Sequence, residues 1–193
     1  MEPSQLRAVI ASARNGSAEG YETLLRVYGP RLYGYFFRAT GRHHDAEDLL
    51  GEVMLRLVRE LKNYDDRGRF EPWLFRIAAN LVRDRIRRTR ANPPPISISD
   101  EGDAASPLTD SLTGEHVPVE AGLLAGDASA SLQAALERLE PRTRHMILLR
   151  YFGQMSFREI ADLYQCPLGT VLAKVHRGLA ALRKLMGGQD GME

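Results

Sequence analysis

Apolar residues recur at helical spacing over most of this chain, and strand-like alternation is hard to find anywhere. That pattern confines the fold to helices that each hide one stripe. Between residues 45 and 62 the apolar set is Ala46, Leu49, Leu50, Val53, Met54, Leu57, Val58 and Leu61, one continuous stripe on a helix of 3.6 residues per turn. Phe70, Trp73, Leu74, Ile77, Ala78, Leu81, Val82 and Ile86 repeat it. Earlier helices are expected over 4–14, stopped at Asn15-Gly16, and over 17–38, bent near Gly29-Pro30. Residues 1–90 thus form a four-helix unit.

Residues 91–128 break the period. They hold Pro93-Pro94-Pro95, Pro107, Pro118, four glycines and no Lys or Arg, the composition of a linker. As coil, such a segment spans roughly 35 Å on average and reaches about 125 Å when stretched. Helical spacing then returns over 131–139, 142–151, 156–164 and 168–186, so 129–186 form a second unit. Residues 187–193 are a frayed tail after Gly187-Gly188. The expected fold is all-α, two small helical domains joined by a flexible acidic linker.

Net charge is +1, which argues against a nucleic-acid binder until it is divided along the chain. Residues 1–90 carry 17 basic and 12 acidic side chains, hence +5. Residues 91–130 carry 7 acids and no Lys or Arg, hence −7; residues 131–193 carry 9 basic and 6 acidic, hence +3. Two basic modules flank an acidic segment, a pattern that speaks of two nucleic-acid contacts.

The decisive motif is a helix-turn-helix over 156–184. Ser156 caps its first helix, with Glu159 at capping-box spacing. Ala161 is small where two helices cross, Gln165-Cys166-Pro167 makes the turn, and Pro167 suits a first helical position. The second helix would enter a major groove, with Thr170, Lys174 and Arg177 directed away from its apolar stripe. The bland alternative is a plain helical hairpin.

A second basic patch is RDRIRRTR, residues 83–90, with five arginines in eight positions. Upstream lies the loop NYDDRGRFEPW, residues 63–73, with Tyr64, Phe70 and Trp73. Arginines beside aromatics suit single-stranded nucleic acid, where bases stack on rings and phosphates meet guanidinium groups. The alternative places the rings in the core, which is favoured for Trp73 and Ile77, and leaves the arginines as a solvated face.

His44 and Asp48 at i,i+4 make a metal site conceivable, but no further ligands cluster with them. Asp45, Glu47 and Asp48 instead occupy a first helical turn, where acids interact favourably with the helix dipole; the alternative for these exposed acids is a protein-docking face. No phosphate loop or nucleophile elbow is present, so neither an enzyme nor a cofactor is expected. The lone Cys166 suits packing, and the lack of an apolar signal or spanning segment points to a cytoplasmic protein without membrane insertion.

These residues resemble a known family. DAEDLLGEVMLRLVREL followed by FEPWLFRIAANLVRDRIRR is similar to region 2 of a bacterial sigma factor of the sigma-70 family. ALERLEPRTRHMILLRYFGQMSFREIADLYQCPLGTVLAKVHRGLAALRKL is similar to region 4. Two such blocks with no domain between them resemble the extracytoplasmic-function (ECF, group 4) sigma factors, promoter-specificity subunits of RNA polymerase. The resemblance implies that Asp45, Asp48, Leu49, Glu52 and Arg56 dock on the β′ clamp helices, with the β flap as a further contact. It implies that Asn63, Tyr64, Arg69, Phe70, Arg76, Asn80, Arg83, Arg87 and Arg88 capture the melted −10 strand. It implies that Ser156, Arg158, Thr170, Leu172, Ala173, Lys174 and Arg177 read the −35 duplex. The linker would thread towards the RNA exit path, and an anti-sigma factor is an expected partner.

Three positions depart from the family pattern. Gly51 replaces a frequent Gln, at about 1 kcal/mol of helix propensity. Leu172-Ala173 replace a basic and a hydroxyl residue, and Gln165 stands where glycine is common. Rival readings are a stand-alone helix-turn-helix regulator, which leaves the first ninety residues unexplained, and a DNA-processing enzyme, which requires a nucleophile or metal-binding acids among the basic residues.

Overall fold

The computed structural model describes residues 1–66, 68–91 and 119–187, which form helices and turns with no strand among them. The chain divides into two compact units, Met1–Thr113 and Gly114–Glu193.

The first unit contains α1 (Pro3–Arg14), α2 (Ala18–Thr40), α3 (His43–Glu60), a 3-10 turn (Leu61–Asn63) and α4 (Phe70–Ala91). Ser17 caps α2, its Oγ accepting from Gly20 N at 3.3 Å. A Cβ at Gly20 would lie 2.6 Å from Ala13 N, so only glycine lets α1 and α2 meet backbone to backbone. The helix runs on through Pro30 without a break. Proline removes one backbone donor there, and the buried Leu24, Tyr28, Leu32, Tyr35 and Phe36 on both sides offset the loss.

The α3 stripe, Ala46, Leu49, Leu50, Val53, Leu57, and the α4 stripe, Leu74, Phe75, Ala78, Leu81, Val82, close the core against α2. Tyr35 meets Phe75 edge to face, with centroids 5.6 Å apart. Glu71, in the first turn of α4, accepts from Arg31 Nη2 at 3.0 Å and Tyr28 Oη at 3.3 Å, which fastens α4 to α2.

The second unit contains α5 (Val119–Glu137), α6 (Pro141–Tyr151), α7 (Phe157–Tyr164) and α8 (Leu168–Gly187). Here the structure corrects the sequence. The helix expected over 131–139 starts at Val119, inside the segment assigned to the linker. Six of residues 119–130 are Ala or Leu, which favour helix despite two glycines, and their sequence spacing does not repeat as one apolar stripe. The rest of the expected linker, 92–118, and the tail 188–193 lie outside the described residues.

Within this unit a Cβ at Gly178 of α8 would lie 2.6 Å from Thr143 Cγ2 and 2.7 Å from Ile147 Cδ1. The glycine therefore permits the close crossing of α6 and α8. His145, buried on α6, pairs through Nδ1 with Tyr164 Oη of α7 at 2.8 Å.

Candidate nucleic-acid and docking surfaces

Three surfaces emerge, two in the first unit. On α4, Trp73, Arg76, Asn80, Arg83 and Arg87 follow one another at alternating spacings of three and four, so they share a face. Arg76, Asn80, Arg83 and Arg87 are exposed and Trp73 is half-buried. Asn63 and Arg69, on the segment leading into α4, are exposed as well. The other two aromatics differ from expectation. Phe70 and Tyr64 are 2% and 8% exposed, so no base can stack on them in this conformation. They form the bed beneath Trp73, with Tyr64 at 4.5 Å and Phe70 at 5.6 Å between centroids.

Trp73, favoured for the core by its spacing, is thus the ring that reaches the surface. Tyr64 Oη donates to Asp66 Oδ1, which also accepts from Gly68 N at 2.9 Å. Burial first, then the Asp66 carboxylate, push the Tyr64 phenol up to about 12, so it stays a neutral donor that pins the loop.

The second surface lies between α3 and α4. A cleft of about 490 Å³ is lined by Glu47, Asp48, Leu49, Gly51, Glu52, Leu55, Leu81, Asp84, Arg85 and Arg88. Arg85 Nη2 bridges Asp45 Oδ1 and Asp48 Oδ2, each at 2.8 Å. Burial alone would lower the Arg85 pKa; the hydrogen bond to Asp48 and the Asp45 and Asp48 charges reverse this and hold it above the ordinary arginine value. Arg87 pairs with Asp84 at 3.2 Å and Arg56 with Glu52 at 3.1 Å. The arginine run is therefore not uncompensated: two of its members meet acids of the same unit.

Leu49 is 2% exposed and belongs to the core, so a docking partner reaches only the rim around it. The apolar groups presented to solvent on α3 are Leu55 and Val58. His44 Nε2 lies 3.9 Å from Asp48 Oδ2, and among the described residues no group of three His, Cys, Asp or Glu could hold a metal ion.

The third surface is the helix-turn-helix. Ser156 closes the expected capping box: Glu159 N donates to its Oγ at 3.2 Å, and Ser156 N donates to Glu159 Oε2 at 2.7 Å. Its hydroxyl also donates to that carboxylate, so Ser156 is committed to the cap. Gln165 ends α7 in the left-handed region, φ 49 and ψ 50. Pro167 precedes α8 rather than opening it, its carbonyl accepting from Thr170 N at 2.9 Å. Val171 and Val175 bury the inner face of α8. Leu172, His176 and Arg177 are exposed outward, Thr170 and Ala173 are half-buried, and Arg158 on α7 is exposed. Lys174 is half-buried and bound to Glu140 at 2.6 Å.

Comparison with known proteins decides the family. Residues 24–92 match the model for sigma-70 region 2, and residues 129–182 match that for sigma-70 region 4. The chain belongs to the sigma-70 family. Its relatives place it in the ECF group. It is 32% identical over 181 residues to the ECF RNA polymerase sigma factor SigW of Bacillus subtilis, covering 91% of this chain and 93% of that one. It is 33% identical over 182 residues to the ECF sigma factor SigE of Mycolicibacterium smegmatis, covering 94% and 67%.

Two solved structures share the fold of this sigma factor. CnrH, in complex with the cytosolic domain of CnrY, aligns with a TM-score of 0.62 at 21% identity, covering 94% of this chain and 97% of that one. The sigma factor RpoE of Bartonella quintana, in complex with the anti-sigma factor NepR, aligns with a TM-score of 0.63 at 18% identity, covering 88% and 98%.

Sequence reasoning missed three features of this sigma factor. Leu55 lies half a turn from the buried α3 stripe, and an apolar residue there was the available signal. His176 lies on the outward face of α8 beside Arg177. The Arg85 and Lys174 ion pairs join residues 37 and 34 positions apart or more, and no local pattern announces them.

Proposed function

We propose that this sigma factor is a promoter-specificity subunit of bacterial RNA polymerase, its second unit reading the −35 duplex and its first capturing the melted −10 strand. One observation carries the reading: two family regions in the expected order, each with its own basic surface of different chemistry. The α4 face offers a ring and guanidinium groups, the chemistry of single strands. The α8 face offers a helix for a major groove.

A base leaving the stack costs a few kcal/mol, which a pocket must return. Trp73 supplies the stacking plane, Asn80 the donor and acceptor for a base edge, and Arg76, Arg83 and Arg87 the phosphate contacts. Arg69 and Asn63 extend the basic rim, whereas Arg88, a candidate for the same strand by sequence, lines the α3–α4 cleft and lies off it. On α8, Arg177 takes a phosphate, Thr170 and Ala173 approach the groove, and Leu172 gives apolar contact of the kind that suits a thymine methyl. Arg158 supplies a further cation from α7.

Core polymerase docks on the outer face of α3, through Asp48, Glu52, Arg56, Leu55 and Val58, with Asp45 behind them. The protein is not itself an enzyme and works in the cytoplasm beside the polymerase. No helix among the described residues is long and apolar enough to cross a membrane. Anti-sigma control is a fitting partnership, since both solved structures of the same fold are complexes, one of them with a named anti-sigma factor. The acidic segment 92–118, at −5, suits a channel built for RNA.

The test is run-off transcription with purified core polymerase on a promoter library. Specific transcripts are expected only when this chain is added. Failure to bind core polymerase in a pull-down would sink the proposal and favour a stand-alone regulator.

A further inference from the structure

Lys174 was a duplex-reading candidate by position, but its ammonium already has a partner. Nζ donates to Glu140 Oε2 at 2.6 Å, and the same oxygen accepts from Thr143 Oγ1, also at 2.6 Å. Glu140 immediately precedes α6, so the contact ties the start of α6 to the middle of the helix that enters the groove.

The side chains of Lys174 and Glu140 are 26% and 51% exposed. The pair is therefore open to an arriving anion rather than sealed in the core. One carboxylate oxygen holding an ammonium and a hydroxyl offers the acceptor chemistry of a non-bridging phosphate oxygen. The hydrogen bonds from Lys174 and then Thr143 hold the Glu140 carboxyl below its ordinary range, so it is an anion at neutral pH.

We propose that Glu140 is an internal stand-in for a DNA phosphate, which withholds Lys174 from the duplex and makes the second unit engage one phosphate fewer than its sequence suggests. The inference rests on the DNA-reading role proposed above and deepens it. A lysine that neutralises a phosphate releases a condensed counterion, adding about 0.9 to the slope of log affinity against log salt. A lysine already neutralised by its own chain releases none until the carboxylate yields. An approaching backbone phosphate also meets a fixed negative charge. Glu140 thus sets how strongly, and with what salt dependence, the unit holds DNA of any sequence. Arg177, three residues on and exposed, remains available throughout.

The experiment uses the full chain, fluorescence anisotropy and a mixed-sequence 30-base-pair duplex in 50–200 mM KCl. Glu140→Gln keeps the size and the polarity of the side chain and removes its charge. It is expected to tighten binding and steepen the slope by about 0.9, so that its advantage shrinks about threefold across that salt range. Adding Lys174→Met to Glu140→Gln is expected to return the slope to the wild-type value, because the gain runs through that ammonium.

If Glu140→Gln leaves the slope unchanged while Arg177→Ala still lowers it by about one, the inference falls and the DNA reading stands. A gain that persists in the double variant also overturns the inference, since it then comes from net charge alone. If no variant shows salt-dependent binding, both fall together.

Discussion

The two units handle charge in opposite ways. In the first, an internal ion pair sits off the nucleic-acid face: Arg85 turns into the α3–α4 cleft to meet Asp45 and Asp48, while Arg76, Asn80 and Arg83 stay exposed on another side of α4. In the second, the internal pair sits on the helix proposed to read DNA, where Glu140 holds Lys174. One unit keeps its interhelical pair off the proposed ligand face, although Arg87 on that face also meets Asp84, and the other uses the same cation for both. The difference follows the substrates. A melted strand needs a dense array of guanidinium groups around a ring. A duplex is met by a helix whose outward residues, Leu172, Ala173 and His176, are mostly uncharged, so each remaining cation weighs more.

The largest expected effect tests whether the aromatic bed of the first unit is core. Phe70→Ala should cost about 3–4 kcal/mol of unfolding free energy in that unit, measured by urea denaturation followed by tryptophan fluorescence. Unchanged stability with impaired single-strand binding would instead return Phe70 to the ligand-facing set.

Asn80→Ala should weaken binding to a forked, partly melted promoter fragment about tenfold, with affinity for the −35 duplex alone unchanged, in a gel-shift comparison. Loss confined to the duplex would invert the assignment of the two surfaces. Arg85→Ala should lower stability by about 1 kcal/mol, a modest figure because the partly exposed pair is screened by solvent. It should also leave Asp45 and Asp48 more available to core polymerase, so docking should hold or improve in a pull-down titration.

In the second unit, Gln165→Gly should raise stability by about 1 kcal/mol, because a left-handed conformation suits glycine and strains a side chain. A thermal melt of both chains checks the sign. The smallest effect is acid sensitivity at Glu140. Its pKa is depressed in the folded chain from 4.5, so its contribution is present above that value and fades as pH falls through the lower folded one. The melting difference between wild type and Glu140→Gln should therefore be constant well above 4.5 and shrink as pH falls below it.

How far the sequence discloses all this depends on the range of each interaction. The α3 and α4 helices are legible because their stripes repeat every three or four residues, and the capping box at Ser156 and Glu159 is legible because it is local. Helix α5 is hidden because its apolar residues do not repeat as one stripe in the sequence, and Pro118 just before it suggests a linker. The roles of Tyr64, Phe70 and Trp73 are ambiguous, since aromatics near arginines serve a core or a stacking surface equally well. Only the packing decides which ring emerges. The family was legible from the order of the two blocks. The pairing of Arg85 and of Lys174 was not, because charge counts along a chain do not say which acid meets which base across a fold.

The close crossing at Gly178 has a mechanical consequence. Ten residues separate it from Leu168, about 15 Å along α8, with the groove-facing positions in between. The glycine acts as a fulcrum on which the reading end is balanced against α6. A side chain placed there would meet Thr143 Cγ2 and Ile147 Cδ1, and where those do not turn aside α8 tilts and its far end swings through an arc. Every base contact would then shift at once, with no contacting residue altered. Promoter preference would then be open to drift through Gly178, which faces α6 rather than the proposed reading face.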